Sequence, residues 1–154
     1  MKITNFELLN ITQFLENFAD KHLPQRIAYA IVKNSELLKL DANSYNSALQ
    51  KIIDSYKDFV QKDDDGNEVM SSVGIPEVDA DHIEDYMNEI NELLGIEIDV
   101  NLYHIDESCF EYDDGDKYDA LSPKDIMLLQ NVLCEQEEAE DEDGDEEANE
   151  EIEE

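Results

Sequence analysis

The N-terminal 62 residues carry apolar side chains at spacings of three and four, and this period predicts helices. The segment TNFELLNITQFLENFADKHLP predicts a first helix that is capped by Thr4 or Asn5, and Pro24 is expected either to end this helix or to begin the next element. Its inner face is expected to carry Leu8, Ile11, Leu15 and Phe18. The scaffold of this chain is therefore predicted to be helical.

The segment QRIAYAIVKNSELLKL predicts a second helix, with an inner face made of Ile27, Ala30, Ile31, Asn34, Leu37 and Leu38. Residues 41–44 favour a break, although the sequence leaves open whether the helix runs through them. Beyond this point a seam repeats at spacings of four and three: Tyr45, Leu49, Ile52, Tyr56 and Phe59. The seam predicts packing against another helix of the same chain.

After residue 62 the predicted elements are shorter. The stretch KDDDGNEV predicts an Asp-Gly turn. The stretch DADHIEDYMNEINELLG predicts a helix that is capped by Asp79 or Asp81 and followed by Gly95 in the position typical of a C-terminal glycine. Its inward residues are predicted to be Ile83, Met87, Ile90 and Leu94, with Tyr86 and Leu93 at the margin.

The stretch IEIDVNLYHI alternates apolar and polar side chains, which predicts a half-buried strand. Its expected partner is EVMSSV or SCFEY, and either pairing gives a small antiparallel sheet. The last helix is predicted in LSPKDIMLLQNVLCEQ, with Ser122 as N-cap, Pro123 at the first helical position and Asp125 completing a capping box.

These elements predict an α+β fold that is mostly helical, with four to five helices, a small antiparallel sheet and a disordered acidic C-terminal tail. Residues 1–136 are expected to form one domain and residues 137–154 the tail, because the apolar periodicity ends after Cys134. No apolar run has the length needed to cross a bilayer, and the N-terminal residues lack the pattern of a signal peptide, so a cytoplasmic protein is predicted.

The charge is distributed very unevenly along the chain. The sequence holds 42 acidic and 10 basic residues, a net charge of −32. Residues 1–62 contain 8 basic and 7 acidic groups, residues 63–134 contain 2 and 21, and residues 135–154 contain 0 and 14. A magnitude of about 2 to 8 suffices for solubility, so the excess indicates a role in binding. Nucleic acid and anionic membranes are polyanions and are disfavoured as direct partners.

No enzyme active site, cofactor or metal site is predicted. The stretch DDDGNE resembles the start of a calcium-binding EF-hand loop, but alignment on Gly66 puts Gln61 first and Ser72 last, where carboxylate ligands are needed. No nucleotide-binding or hydrolase motif is present. The histidines and cysteines stand at no metal-ligand spacing and are expected to be structural or exposed: His22, His82, His104, Cys109 and Cys134.

Exposed carboxylates after residue 80 are the candidate contacts to a partner. They are Asp81, Glu84, Asp85, Glu89, Glu92, Glu97, Asp99, Glu111, Asp113, Asp114, Asp116 and Asp119. On a helix, groups three or four residues apart lie about 5 to 6 Å apart, and alternate residues of a strand lie about 6.6 Å apart. Such an array can present phosphate-like charge to a basic groove. The alternative is that these are ordinary solvated faces.

Four segments in order carry a resemblance: LPQRIAYAIVKNSELL, KDDDGNEV, EINELLGIEIDVNLYHI and LSPKDIMLLQNVL. In them the chain resembles uncharacterised small acidic proteins of tailed bacteriophages of low-GC bacteria, over most of residues 23–133. The resemblance implies a phage protein that works inside an infected bacterium, and it carries over no catalytic residue. The long acidic tail departs from the pattern of that family.

Two hypotheses follow from the charge and the resemblance. The first is a non-enzymatic phage inhibitor that occupies the basic nucleic-acid-binding surface of a host nuclease, restriction or CRISPR effector, because small, very acidic phage proteins often inhibit such machinery. The alternative is a virion-assembly accessory or chaperone that binds a basic structural protein through the seam from Tyr45 to Phe59. Both hypotheses predict a protein partner and no direct contact with nucleic acid or membrane.

Overall fold

The computed structural model describes residues 1–113, 115 and 117–135. Within this part of the chain the strands and α-helices are β1 (Lys2–Thr4), α1 (Asn5–Glu16), α2 (Gln25–Ser55), α3 (Ile83–Gly95), β2 (Glu97–Asp99) and α4 (Pro123–Leu133). Short 3-10 turns cover Lys57–Phe59 and Glu107–Phe110. The predicted fold class, mostly helical α+β with a small antiparallel sheet, is confirmed. The tail predicted for residues 137–154 lies outside the described residues.

The helix α2 runs unbroken for 31 residues, so the break favoured at residues 41–44 does not occur. Polar residues at these positions cost only a few tenths of a kcal/mol each in a helix. Leu38 and Tyr45, seven residues apart on one face, are both buried and continue the packed stripe across the polar stretch. The prediction that Leu37 faces inward was wrong, because its side chain is 40% exposed.

Two hydrophobic clusters lie along α2. The larger one surrounds its N-terminal half and joins α1, the chain after β2, and α4 through buried residues such as Leu15, Ile27, Leu102 and Leu129. The smaller one contains Val78, Tyr86 and Ile90. It packs against Leu49, Ile52 and Tyr56 of the predicted seam and also against Ile53, which the seam did not include. The seam therefore makes the intramolecular helix contact that its spacing predicts.

The sheet has a partner that the sequence pattern did not predict. Strand β2 pairs antiparallel with β1, which lies at the N-terminus, in the register Lys2 to Asp99, Ile3 to Ile98 and Thr4 to Glu97. EVMSSV and SCFEY, the expected partners, lie elsewhere. The backbone N–H of Val69 instead donates to the Gln61 carbonyl, and the Val69 carbonyl accepts from the Glu77 N–H, in a looped stretch that we call the 60–79 segment.

Helix α3 is rotated from the predicted orientation. Tyr86, Ile90 and Leu93 are its buried residues, whereas Ile83 and Met87 are 39% and 38% exposed. The apolar residues of α3 cover a wide arc, and contact with Tyr56 of the chain after α2 selects the Tyr86 side of it, with ring centroids 5.0 Å apart. The placement of Ile83 and Met87 in the core was therefore wrong.

The ends of α3 also differ from the prediction. His82 occupies the N-cap position and makes no side-chain capping bond, whereas Asp79 accepts hydrogen bonds from the backbone N–H groups of Asp81 and His82 in the preceding turn. Gly95 is the last helical residue and has no positive φ, and the capping residue is Ile96. Asp79 therefore organises the entry to the helix without capping it.

The N-terminal signal predicted for α4 is confirmed, and of the two caps predicted for α1 it is Thr4, not Asn5, that occupies the N-cap position. Thr4 and Glu7 form a capping box at the start of α1, and Ser122 and Asp125 form one at the start of α4, with Pro123 in its first turn. Among the described residues, no helix is both long enough and apolar enough to pass through a lipid bilayer.

Candidate protein-binding surface

The outer side of α3 carries a row of carboxylates. Asp85, Glu89 and Glu92 follow one another at spacings of four and three, so neighbouring side chains lie about 5 to 6 Å apart at Cβ. Glu84 lies beside this row, and Asp81 precedes it in the turn before the helix. All five side chains are exposed, as predicted, and α3 contains no Lys or Arg. The helix therefore presents uncompensated negative charge to solvent.

One of these carboxylates has a partner within the protein. Oε1 of Glu89 accepts a hydrogen bond from the Tyr56 hydroxyl at 2.8 Å. This bond raises the pKa of the Tyr56 hydroxyl, and burial and the negative charges of Glu89 and Asp85 act in the same direction. The bond fixes the position of α3 on the end of α2. Glu89 therefore has a structural role besides its charge.

Glu97 and Asp99 extend from β2 on the side opposite to Ile98. Both are exposed, and Ile98 packs against the larger cluster, as strand alternation predicts. The unpredicted pairing with β1 places Lys2 directly across from Asp99 and Thr4 across from Glu97. Directly opposed residues of antiparallel strands lie about 4.5 to 5.5 Å apart at Cβ. Lys2 therefore offsets part of the Asp99 charge, whereas Glu97 faces a neutral residue.

Helix α3 and strand β2 are adjacent because Ile96 alone separates them. Asn5 fixes this junction: its side-chain amide donates to the Leu93 carbonyl at 2.8 Å, and its backbone N–H donates to the Ile96 carbonyl at 3.0 Å. Asn5 is buried, so it satisfies carbonyl groups that the end of a helix leaves open. We call the exposed carboxylates of this region the acidic face: Asp81, Glu84, Asp85, Glu89, Glu92, Glu97 and Asp99.

The predicted acidic loop 111–119 lies at the opposite end of the molecule. Asp119 accepts a hydrogen bond from the His22 backbone N–H at 2.7 Å and donates its own N–H to the His22 carbonyl, just before α2 begins. The acidic face lies near the other end, where Glu89 meets Tyr56. A helix of 31 residues spans about 46 Å. The structure therefore does not bring the loop and the α3 row together.

The loop also differs from the acidic face in its chemistry. Glu111 and Asp113 are exposed, but Asp113 accepts a hydrogen bond from the Gly115 N–H, and the Asp119 carboxylate is committed to the fold. Lys117 stacks on the Tyr118 ring, with its Nζ 4.9 Å from the ring centroid. Asp114 and Asp116, the other predicted contacts of this loop, lie outside the described residues.

Ion pairing within the described part of the chain is sparse. The one pair within 4 Å there joins Nδ1 of His82 to Oδ1 of Asp79 at 2.6 Å, and the His82 ring stacks on Phe59 with centroids 3.6 Å apart. This contact lowers the pKa of the Asp79 carboxyl, chiefly through the side-chain hydrogen bond. No member of the acidic face takes part in such a pair in this region. Its charge is therefore available to a partner.

Residues 1–113, 115 and 117–135 contain no group of three or more His, Cys, Asp or Glu side chains placed to hold a metal ion. Cys109 and Cys134 are free thiols. Burial, followed by the nearby negative charge of Glu107, raises the pKa of the Cys134 thiol, which disfavours the reactive thiolate. The buried Cys134 thiol therefore lacks the environment of an activated nucleophile.

Two residues that bear on this surface were missed from the sequence. Lys2 could be placed only by knowing that β1 pairs with β2, and a three-residue strand gives too short a pattern to show it. Tyr86 was assigned to the margin of α3, yet it is 1% exposed and lines a cavity beside the acidic face. A large aromatic residue in a helix that is rich in carboxylates favours burial, and this pattern could have placed Tyr86 in the core.

The fold and this surface define a small, mostly helical α+β protein with an exposed acidic face, whose carboxylates form no ion pair within 4 Å in the described part of the chain. No protein-family model, curated protein or solved structure matches the chain.

Proposed function

We propose that this protein is a non-enzymatic inhibitor that occupies the basic nucleic-acid-binding surface of a host protein, in the cytoplasm of a phage-infected bacterium. One observation carries the proposal: the carboxylates of the acidic face are exposed on two adjacent elements and take part in no ion pair within 4 Å among the described residues. Lys2 is the one basic residue opposite them in the sheet. Self-repulsion of this kind opposes folding, so a binding role explains its presence.

The spacing of the charges supports occupation of a nucleic-acid site. The α3 row places carboxylates about 5 to 6 Å apart, and Glu97 and Asp99 are about 6.6 Å apart along β2. A groove that binds nucleic acid is lined with Lys and Arg because DNA carries one charge per about 1.7 Å of its axis. Such a groove attracts the acidic face through the same long-range field, with an affinity that falls as salt rises.

The alternative function, a virion-assembly accessory, depends on the seam from Tyr45 to Phe59 as the contact to its client. In the structure Tyr45 is buried, and Leu49, Ile52 and Tyr56 pack against the smaller cluster. The seam is therefore used within the chain, and this observation favours the inhibitor over the chaperone.

Affinity capture from phage-infected cells tests the proposal. The bait is the full-length chain, compared with the charge-reversal variant Glu84→Lys/Glu92→Lys. The matched control is Glu16→Lys/Glu36→Lys, which changes the net charge equally on exposed positions of α1 and α2. We expect a nucleic-acid-binding protein that is retained by the wild type and the control, lost with the α3 variant, and released by duplex DNA.

Other outcomes overturn the proposal. Equal loss with both charge variants means that net charge alone governs retention, and the acidic face is then not the contact. Capture of a capsid or tail protein that DNA does not release supports the assembly function. An affinity that stays constant between low and high salt excludes the electrostatic mechanism.

A further inference from the structure

A cavity of about 430 Å³ lies between α3 and the 60–79 segment, next to the acidic face. Much of its wall is apolar and comes from Ile75, Pro76, Val78, Ala80, Ile83 and Met87. Its size is in the range of pockets that hold a small ligand or a large side chain. The cavity is therefore large enough for an apolar group of a partner.

Tyr86 also lines the cavity, and its hydroxyl is buried. Its side chain is 1% exposed, and within the described residues its hydroxyl has no hydrogen-bond partner. Most buried polar side-chain atoms in proteins are hydrogen-bonded, because desolvation without a replacement bond is costly. An occupant of the cavity that reaches this hydroxyl and offers it a hydrogen-bonding atom would satisfy it.

The rim of the cavity is apolar on one side and acidic on the other. Ile83 and Met87 are both about two-fifths exposed, and they place an apolar edge on α3 where the sequence predicted core residues. Glu77 lines the cavity, and Asp81 and Glu84 are exposed next to Ile83. A methionine at such an edge adapts to the shape of a partner. The opening therefore favours a group that is aromatic or apolar and is flanked by positive charge.

Nucleic-acid-binding grooves combine these two features. They carry Lys and Arg that follow the backbone, and aromatic side chains on which bases stack. A tyrosine brings a large apolar ring together with a hydroxyl that can bond to a second hydroxyl. A small molecule gains nothing from the surrounding carboxylates unless it is itself cationic.

We propose that this cavity is a socket for an aromatic side chain, which projects from the basic groove that the acidic face contacts. The inference rests on the proposed function and deepens it: charge brings the two proteins together, and the socket distinguishes a groove with an exposed aromatic residue from other basic surfaces. Binding energy at interfaces is concentrated in a few such buried anchors.

Two peptides test the socket. Both are short and rich in Arg and Lys, and one carries a central tyrosine where the other carries alanine. We expect wild-type protein to bind the tyrosine peptide about tenfold more tightly. Ile83→Ala/Met87→Ala is expected to reduce this preference below about threefold, whereas Val32→Ala/Leu40→Ala, which truncates exposed apolar residues of α2, leaves it intact.

Tyr86→Phe keeps the ring and removes only the hydroxyl, so it keeps the test valid if the double variant unfolds. This substitution is expected to lower the affinity for the tyrosine peptide by about threefold to tenfold and to leave the affinity for the alanine peptide unchanged. Equal affinity of the two peptides for the wild type, or a tyrosine preference that survives both socket variants, overturns the socket. An uncharged phenol that binds as tightly as the tyrosine peptide identifies a small-molecule pocket and also overturns it.

The charge variant separates the socket from the proposed function. Glu84→Lys/Glu92→Lys is expected to weaken both peptides by a similar factor while the tyrosine preference stays. If this variant changes neither affinity, the electrostatic role of the acidic face fails, although the socket can still be judged from the ratio of the two affinities.

Discussion

Replacement of Asn34 by alanine is expected to destabilise the protein by about 2 to 3 kcal/mol. The Asn34 side chain is fully buried in α2, and it makes two hydrogen bonds to the backbone of Tyr103: Nδ2 donates to the carbonyl at 2.9 Å, and Oδ1 accepts from the N–H at 2.6 Å. Each such bond contributes about 1 kcal/mol net. The volume lost on truncation adds the remainder.

The exposure of Tyr103 limits the destabilisation expected for Asn34→Ala. Tyr103 is 42% exposed and the two hydrogen bonds are only partly buried, so their loss costs less than it would in a fully buried site. Urea denaturation followed by far-ultraviolet circular dichroism measures the change at constant slope. For a chain of this length the loss corresponds to a fall in Tm of about 5 to 10 °C. The control is Ser35→Ala, whose hydroxyl bonds only to the Ile31 carbonyl within α2, and it is expected to change stability by less than about 0.5 kcal/mol.

Asn34→Asp provides a pH test of the same two bonds. A protonated aspartic acid can donate to the Tyr103 carbonyl and accept from its N–H, whereas the ionised form can only accept. Burial disfavours the ionised form and raises the folded pKa of the introduced carboxyl above the unfolded value of about 3.9. Stability relative to wild type is therefore lost as the pH rises through the folded pKa. A loss below about 1 kcal/mol for Asn34→Ala, or a pH profile of Asn34→Asp parallel to wild type, refutes this account.

Four further predictions concern a turn glycine, a helical glycine, a helix cap and the tail. Gly66 has a φ of 84°, so Gly66→Ala is expected to lower the free energy of unfolding by about 1 to 2 kcal/mol. Gly95 is a helical residue with open space around an added Cβ, so Gly95→Ala is expected to raise it by about 0.4 to 1 kcal/mol. Urea denaturation measures both changes. Hydrogen bonds from the Ser122 hydroxyl and backbone N–H lower the pKa of the Asp125 carboxyl, so the stability that this carboxylate contributes is present above the unfolded pKa of about 3.9 and is lost as the pH falls through the folded pKa. Asp125→Ala is therefore expected to destabilise the protein at pH near 7 but not in strong acid. An equal loss of stability at both pH values contradicts this explanation. A chain that ends at Gln136 is expected to bind its partner with a lower association rate and a weaker salt dependence, while recognition is retained. Surface plasmon resonance measures both quantities. Complete loss of binding would make the tail the main contact.

Local signals in the sequence predicted the elements whose ends depend on neighbouring residues. The capping boxes of Thr4 and Ser122 and the turn at Gly66 involve residues within four positions, so their physics is contained in the sequence pattern. The continuity of α2 through residues 41–44 was the exception. There a weak local preference for a break was overcome by the buried stripe on either side, and such packing cannot be weighed before the partners are known.

Long-range contacts determined what the sequence left undecided. The pairing of β1 with β2 joins segments that are more than ninety residues apart in the sequence, and a three-residue strand has no periodicity that reveals its partner. The rotation of α3 depends on Tyr56, which contacts Tyr86 and donates to Glu89. The exposed carboxylates of α3 and β2 were predicted because charge and period agree, whereas the separation of loop 111–119 from them depends on the length of α2.

The pairing of β1 with β2 has a consequence for synthesis of the chain. More than ninety residues separate the two strands, and ribosomes add about 5 to 20 residues per second. Strand β2 is therefore synthesised about 5 to 20 seconds after β1. During this time α1 and α2, which are neighbours in sequence, can already associate. During that interval Ile3 and Leu8 lack the residues that finally cover them. Nascent chains should consequently bind general chaperones through this N-terminal part, and release should coincide with emergence of β2.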